Sequence, residues 1–414
     1  MNKEKNVFKL KGKVQHYAWG GHSFIPQLLS VPNSGDKPFA EYWLGAHVNA
    51  PSEMVFEDAA QNGAAAERML PLDQYIKDHP EKTLGAHVAE AFGKLPYLLK
   101  ILDVKDMLSI QVHPSKKDAV IEFETENKRG IALNAPHRNY KDDNHKPELM
   151  LALSEFWLLH GFKSADKLKR TLSEVPELGF LLPIFKQQGY QELYRRVMEM
   201  DQAEVNSLLQ PLLDRIIPAY EGDRLSMKQE DFWAARAALT FNEPGRIDRG
   251  IFSIYLFNLV NLHPGEAIFQ DAGLPHAYLE GQNVEIMANS DNVLRGGLTP
   301  KHIDVPELLK HVKFEETIPS VIAGDEGDED ISVFYTPAPD FELAKIKLAK
   351  GNKITAVNRS VGIFIVLEGN VQVTDSLSNA FDRRRGESFV AFDQAKLSLE
   401  AREDAIVYMA SVPV

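Results

Sequence analysis

Gly273-Leu274-Pro275-His276-Ala277-Tyr278 runs on through Glu285 into Asn289-Ser290-Asp291-Asn292-Val293-Leu294-Arg295-Gly296-Gly297-Leu298-Thr299-Pro300-Lys301. This stretch concentrates His, Tyr, Glu, Asp, Arg and Lys in one short reach, with glycines where the chain must turn tightly. Residues 275–279 and 283–288 alternate in polarity and flank Glu280-Gly281-Gln282. The pattern predicts a strand, a three-residue turn and a returning strand. Period-two alternation puts His276 and Tyr278 on one face, and Glu285 with Met287 on one face of the second strand. Such a hairpin on a rigid sheet would hold a metal ligand close to a catalytic group. Taken singly, each of these side chains is more simply structural or solvated, so matching pieces elsewhere must carry the reading.

Three other segments supply them. In Leu108-Ser109-Ile110-Gln111-Val112-His113-Pro114, Leu108, Ile110 and Val112 form an apolar face and Ser109, Gln111 and His113 a polar one. A half-exposed strand would usually carry Lys, Glu or Thr there; Gln and His are ligand types. In Asn144-His145-Lys146-Pro147-Glu148-Leu149-Met150-Leu151-Ala152-Leu153, Glu148 opens an apolar run and shares a face with Lys146. An ionised Glu at the mouth of a buried strand is costly unless paired or metal-bound. A plain Lys146–Glu148 pair at the strand edge is the simpler account, and worth little. Residues 96–104 are an almost continuous apolar run, as in a strand buried on both faces, and Lys100 is its odd member. That ammonium needs an anion or an exit to solvent. Gln111, His113, Glu148 and His276 together make a nitrogen and oxygen donor set that suits zinc, with water completing the site.

Composition narrows the chemistry. The chain has no cysteine, which excludes disulfides, thiolate catalysis, iron–sulfur clusters and Cys-based zinc sites. A formal net charge of −13 argues against nucleic acid as partner, although a local basic pocket for an anionic metabolite remains compatible. The N-terminal segment is polar and basic with no apolar signal core, and no run approaches the ~18–20 residues of a membrane span. A cytoplasmic protein without a membrane partner is expected.

At 414 residues more than one core is required. The first part, to about residue 155, reads as strands and turns with short helices, including helical stretches in residues 72–92 broken at Gly85. Residues 163–240 turn helical: Val205, Leu208, Leu209, Leu212, Leu213, Ile216 and Ile217 form an amphipathic stripe interrupted by Pro211. Tyr190, Leu193, Tyr194, Val197 and Met198 repeat the pattern, and residues 226–239 make a further helix candidate. Strands resume at Gly250, a helix follows at residues 305–312, and the acidic run at residues 324–330 reads as a solvated boundary. The expected division is a discontinuous catalytic β unit (residues 1–162 and 241–324), a helical insertion (163–240) and a C-terminal β module (325–414). The fold class is mainly β with a helical lobe.

The chain resembles the type I phosphomannose isomerases, a zinc-dependent family within the cupin superfamily. The resemblance rests on Gln15-His16-Tyr17-Ala18-Trp19-Gly20, the segment from Leu108 to Pro114, His145-Lys146-Pro147-Glu148, the segment from Gly273 to Tyr278, and Ser290 through Lys301, in that order. It covers the chain to about residue 312, the last stretch being the most specific. It implies jelly-roll barrels, one zinc per chain on Gln111, His113, Glu148 and His276, and Arg295 as the catalytic arginine. The implied substrate is a small sugar phosphate. The C-terminal region matches less distinctly.

Interconverting mannose 6-phosphate and fructose 6-phosphate moves a proton between C2 and C1 through an enediol. It needs a base, a counter-charge and a phosphate anchor. Glu285 is the candidate base, with Lys146 the alternative, and Arg295 the stabilising charge. Trp19, Lys100, Ser109, Tyr278, Asp291 and Lys301 are the candidate contacts to sugar and phosphate, and a monomer is expected. Two other readings compete. One is a cupin oxygenase with iron on His113, Glu148 and His276, disfavoured by Gln111 and the basic loop. The other is a phosphosugar-binding cupin without turnover, disfavoured by Glu285 and Arg295 beside the ligands.

Overall fold

The computed structural model describes residues 5–57, 67–328 and 330–413, and of residues 325–328 the backbone alone. The first four residues of the N-terminal segment and Glu329 of the acidic run lie outside the described residues. Among the described residues the strands form sheets of nine, eleven and four, and no helix is long and apolar enough to cross a membrane.

The eleven-stranded sheet carries the polar segments. Its central path runs Glu266–Gln270, Glu148–Ala152, His276–Ala288, Tyr97–Val104, Glu41–Gly45, all antiparallel. Tyr97–Val104 is buried at all eight positions, as its apolar run predicts. Leu99 and Ile101 join Leu149, Leu151, Val284 and Ile286 in a core shared with the nine-stranded sheet. Alternation then turns Leu98, Lys100, Leu102 and Val104 the other way. There Leu102 and Val104 pack with Met150, Ala152, Phe156 and Tyr278, while Lys100 enters the polar cavity. The sheet thus has one greasy face and one that changes from apolar to charged along its strands.

The predicted hairpin is not one. His276–Ala288 is a single strand of thirteen residues. Its first half pairs with Phe156–Phe162 and Gln111–Val112, its second with Tyr97–Val104 and Glu148–Ala152. Where a turn was expected the strand bulges: Tyr278 faces Leu158 and Glu280 faces Trp157, one residue more on the long strand than on its partner. The bulge reverses the alternation. Ala277 and Leu279 pack on the helical lobe, leaving His276 and Tyr278 toward the cavity; beyond it Val284 and Ile286 take the core and Glu285 and Met287 face the cavity. Gly281, at φ +132°, adjoins the bulge.

The helical lobe is built from Ala165–Glu174, Leu181–Glu199, Gln202–Glu221 and Glu230–Phe241. Asp201 caps the third, accepting from the Glu204 amide at 2.8 Å. That helix continues through Pro211 and Pro218, because its buried stripe (Val205, Leu209, Leu212, Leu213, Ile216) outweighs a lost backbone bond at each. Strands do not resume at Gly250: Gly250–Leu256 is a helix buried at every residue, and the strand begins at Phe257. Burial on all sides erased the polar stripe that would have marked it as helical. The expected strand at residues 108–114 is regular only over Gln111–Val112.

The acidic run begins where the chain changes sheets. Val321–Ala323 pairs with Glu266–Gln270, and Asp325–Asp328 pairs with Ile331–Phe334 on the edge of the nine-stranded sheet. That sheet also takes in Val7–Lys11, Glu53–Glu57 and Glu67–Pro71, so the two ends of the chain share it. A separate core lies between it and the four-stranded sheet, around Phe364, Phe389, Val371 and Leu397.

A side chain at Gly281 would set its Cβ 2.6 Å from the Glu155 carbonyl oxygen and from the Phe156 ring. Gly281→Val is therefore expected to cost about 1–3 kcal/mol, the range of forced overpacking, measured as a lowered urea midpoint. Turnover per folded molecule should fall as well, because the bulge sets the spacing of His276 and Glu285.

Candidate metal centre

His113, Glu148 and His276 bring one ligand atom each to within 4.8 Å of one another, all three residues buried. The imidazole Nδ1 atoms lie 2.8 Å (His113) and 3.0 Å (His276) from the carbonyls of Asn292 and Leu274. Donation to those carbonyls fixes the tautomer and leaves both Nε2 lone pairs toward Glu148, at 3.4 and 3.3 Å. Burial and the nearby Lys146 lower His113 to about 4, so its ring is neutral, and its Nε2 has no hydrogen-bond partner. Burial alone would raise Glu148, but the Lys146 ammonium holds its carboxyl well below the usual carboxylate range. Gln111 stands opposite both His276 and Arg295 in the strand register and lines the same cavity. Two imidazoles, an ionised carboxylate and an amide within reach fit a borderline divalent cation such as zinc.

Beside this group lies a buried charge network. Lys100 Nζ is 3.1 Å from Glu285 and 3.5 Å from Glu41, which answers the expectation that it needs an anion. Burial would depress its pKa; Glu41 and Glu285 push it up instead. Lys146 Nζ lies 2.9 Å from Glu148 Oε1. Glu285 accepts from Tyr278 at 2.7 Å, and burial raises its pKa despite Lys100. Burial and the Glu285 charge keep the Tyr278 hydroxyl protonated.

Above the network opens a cavity of about 580 Å³. Trp19, Lys100, Ser109, Gln111, Lys146, Asp291, Arg295 and Lys301 line it, while Tyr278 and Glu285 line its inner recess with Glu148 and His276. All thirteen predicted site residues thus gather in one region: twelve line these two spaces and His113 belongs to the ligand group. Burial lowers the pKa of both Arg295 and Lys301.

Two contributions were missed in the sequence. Glu41 accepts from Trp43 Nε1 at 2.5 Å and faces Lys100; a carboxylate in the aromatic strand Glu41–Gly45 was a signal of the same kind as Lys100. Asn292 joins the two ligand-bearing loops: its amide donates to the carbonyls of Asp142 and Asn144 at 2.8 Å each, while its own carbonyl orients His113. Nothing in the sequence separated it from the neighbouring polar residues.

Fold and site together define a cupin-type metalloenzyme with a basic-walled pocket for a small anionic substrate. The catalytic-domain model of type I phosphomannose isomerase matches residues 7–165. Mannose-6-phosphate isomerase of Escherichia coli is 35% identical over 95% of this chain and 96% of its own length, and that of Bos taurus 32% identical over 98% of each. A crystal structure of mannose 6-phosphate isomerase from Salmonella typhimurium, bound to its substrate fructose 6-phosphate and to zinc, superposes with a TM-score of 0.86 at 32% identity, covering 99% of this chain and 100% of that one. The chain belongs to the type I phosphomannose isomerase family.

Removing the Lys100 charge should be costly, because Glu41 and Glu285 would stay buried without a cation. Lys100→Met is expected to lose about 3–5 kcal/mol, the usual penalty for stripping one partner from a buried pair, measured by urea unfolding at neutral pH.

Proposed function

We propose that the protein is a zinc-dependent aldose–ketose isomerase that interconverts mannose 6-phosphate and fructose 6-phosphate. The observation that carries this reading is the buried His113–Glu148–His276 group opening onto a cavity walled by Lys100, Arg295 and Lys301. Family membership, and the zinc and fructose 6-phosphate of the Salmonella typhimurium structure, support it. His113, Glu148, His276 and Gln111 would hold one zinc per chain, which supplies a Lewis acid that polarises and orients sugar oxygens. Neither the oxygenase nor the binding-only reading is favoured by any observation.

The chain's own groups do the rest. Glu285 takes the proton from C2 of the aldose, and from C1 of the ketose in reverse; a carboxylate whose pKa is raised by burial is a better base near neutral pH than an ordinary one. Tyr278 and Lys100 hold its two oxygens in place. Arg295 stabilises the enediolate by charge, since a guanidinium does not give up its proton. Lys146 is the alternative base, although its pairing with Glu148 argues for a supporting part. Lys301 and Ser109 anchor the phosphate, with Trp19 and Asp291 shaping the wall of the sugar site. We further propose that the enzyme is cytoplasmic and monomeric, with sugar phosphates and neither nucleic acid nor membrane as partners. As units of structure we propose residues 1–162 with 241–324, residues 163–240 and residues 325–414, the first and third joined through Val7–Lys11.

Elemental analysis should find one zinc per active chain. Chelation should abolish turnover and zinc restore it, with far-UV circular dichroism nearly unchanged, because the sheets have their own apolar cores. His113→Ala and His276→Ala should each lose metal and activity together.

Glu285→Gln should lose about 10²–10⁴-fold in kcat, the usual worth of a positioned base, while retaining zinc and sugar phosphate affinity. The base must be ionised, so wild-type kcat should fall as pH drops through the raised Glu285 pKa, and the variant should lack that acidic limb. Arg295→Lys should also fail, because an ammonium lacks the forked geometry. Near-normal turnover of zinc-loaded Glu285→Gln would transfer the base to Lys146.

A further inference from the structure

The loop that follows Arg295 takes positive φ at two successive residues, the second of them not a glycine. Gly297 has φ +128° and Leu298, a branched apolar residue, has φ +53°. Gly250 and Gly297 meet backbone to backbone: a Cβ on Gly297 would lie 2.4 Å from the Gly250 Cα. Up to Gly297 the loop is fastened by the register, Leu294 opposite Val112 and Arg295 opposite Gln111. Gly296 and Gly297 then exchange backbone hydrogen bonds with Ile110 at 2.9 and 3.0 Å. Beyond Gly297 that pairing ends, and the chain runs on along the cavity wall through Leu298, Thr299, Pro300 and Lys301.

The buried carboxylate of Asp248 takes over there. Its Oδ1 accepts from the Leu298 amide at 2.8 Å and from the Gly250 amide at 2.7 Å, and its Oδ2 accepts from the Thr299 amide at 3.1 Å. Its own amide donates to Asn242 Oδ1 at 2.9 Å, so the carboxylate is seated on the segment joining the helical lobe to the sheet. We propose that Asp248 is a positioning residue, which clamps the strained Leu298–Thr299 turn and thereby aims Lys301 at the phosphate end of the sugar pocket. Arg295 does not depend on it, being anchored by its strand pairing. The segment that follows the helical lobe therefore takes part in substrate recognition through this clamp, beside Thr240 and Phe241 of the lobe, which line the cavity directly. This rests on the proposed phosphate anchor at Lys301.

The separate anchoring of the two cations predicts a split in the kinetics. An asparagine side chain in this place keeps one oxygen and turns an NH2 against a backbone N–H. In zinc-loaded Asp248→Asn, KM for mannose 6-phosphate and the inhibition constant of inorganic phosphate should both rise about ten-fold, the scale of one charge-assisted contact. Turnover number per folded molecule should stay within about three-fold of wild type, as expected when uniform substrate binding alone is lost. Lys301→Ala should raise both constants at least as far, and the double variant should raise them no further than Lys301→Ala does. A lowered melting temperature with unchanged KM and phosphate inhibition would overturn the proposal, as would additive effects in the double variant. If Lys301→Ala itself leaves both constants unchanged, the phosphate anchor fails and the inference with it. If Lys301→Ala raises them and Asp248→Asn does not, only the clamp fails. Should Asp248→Asn not fold, amide hydrogen exchange in the wild-type holoenzyme decides: Leu298 and Thr299 must be protected, and rapid exchange there overturns the clamp.

Discussion

Charge balance in a dry recess is the constraint around which this protein is built. Glu41, Glu148 and Glu285 face Lys100 and Lys146 in one buried region, each residue less than a tenth exposed. Three carboxylates against two ammonium groups leave a negative excess that an apolar interior does not tolerate. A divalent cation on His113, Glu148 and His276 would reverse the sign and favour an anionic substrate. Each ammonium is held against carboxylates, Lys100 from a strand whose other face is buried and Lys146 from the loop that leads into Glu148–Ala152.

Rigid sheets make this possible. Glu285, Lys100 and Glu148 sit on adjacent strands of one antiparallel ladder, Glu285 directly opposite Lys100. Alternate residues of those strands go to the core shared with the nine-stranded sheet, so the charged side chains cannot turn away without exposing Leu, Ile and Val. His276 belongs to the same long strand but points into the cavity only because of the bulge near Tyr278. A regular strand would send either His276 or Glu285 into an apolar core. His276 and Glu285 share a pocket because one extra residue shifts the alternation between them.

The helical lobe reaches the pocket with Thr240 and Phe241, at the end of its helix Glu230–Phe241. Its core is continuous with the apolar sides of Ile110, Val112, Ala277, Leu279 and Leu294, so it packs against the back of the ligand-bearing segments. Its last segment carries Asp248 to the loop bearing Lys301.

The division between sequence and tertiary structure follows from physical range. Residue chemistry was local and therefore legible: the Gln and His of the 108–114 segment, Glu148 at the start of an apolar run, and Lys100 inside one all marked themselves by standing where an ordinary strand would not carry them. The helical stripe of residues 205–217 was legible because a half-exposed helix must alternate at its own period. Gly250–Leu256 was not, since a helix buried all round has no polar side to show. The bulge was not legible either, because Glu280-Gly281-Gln282 has the composition of a turn. The partner strands determine that the chain continues straight through it, Phe156–Phe162 pairing with Glu280 and Tyr97–Val104 with Gly281 and Gln282. Glu41, Asn292 and Asp248 stayed hidden for the same reason: their side chains are common in polar segments, and what singles them out is the ammonium, carbonyl or backbone amide that a distant part of the chain brings against them.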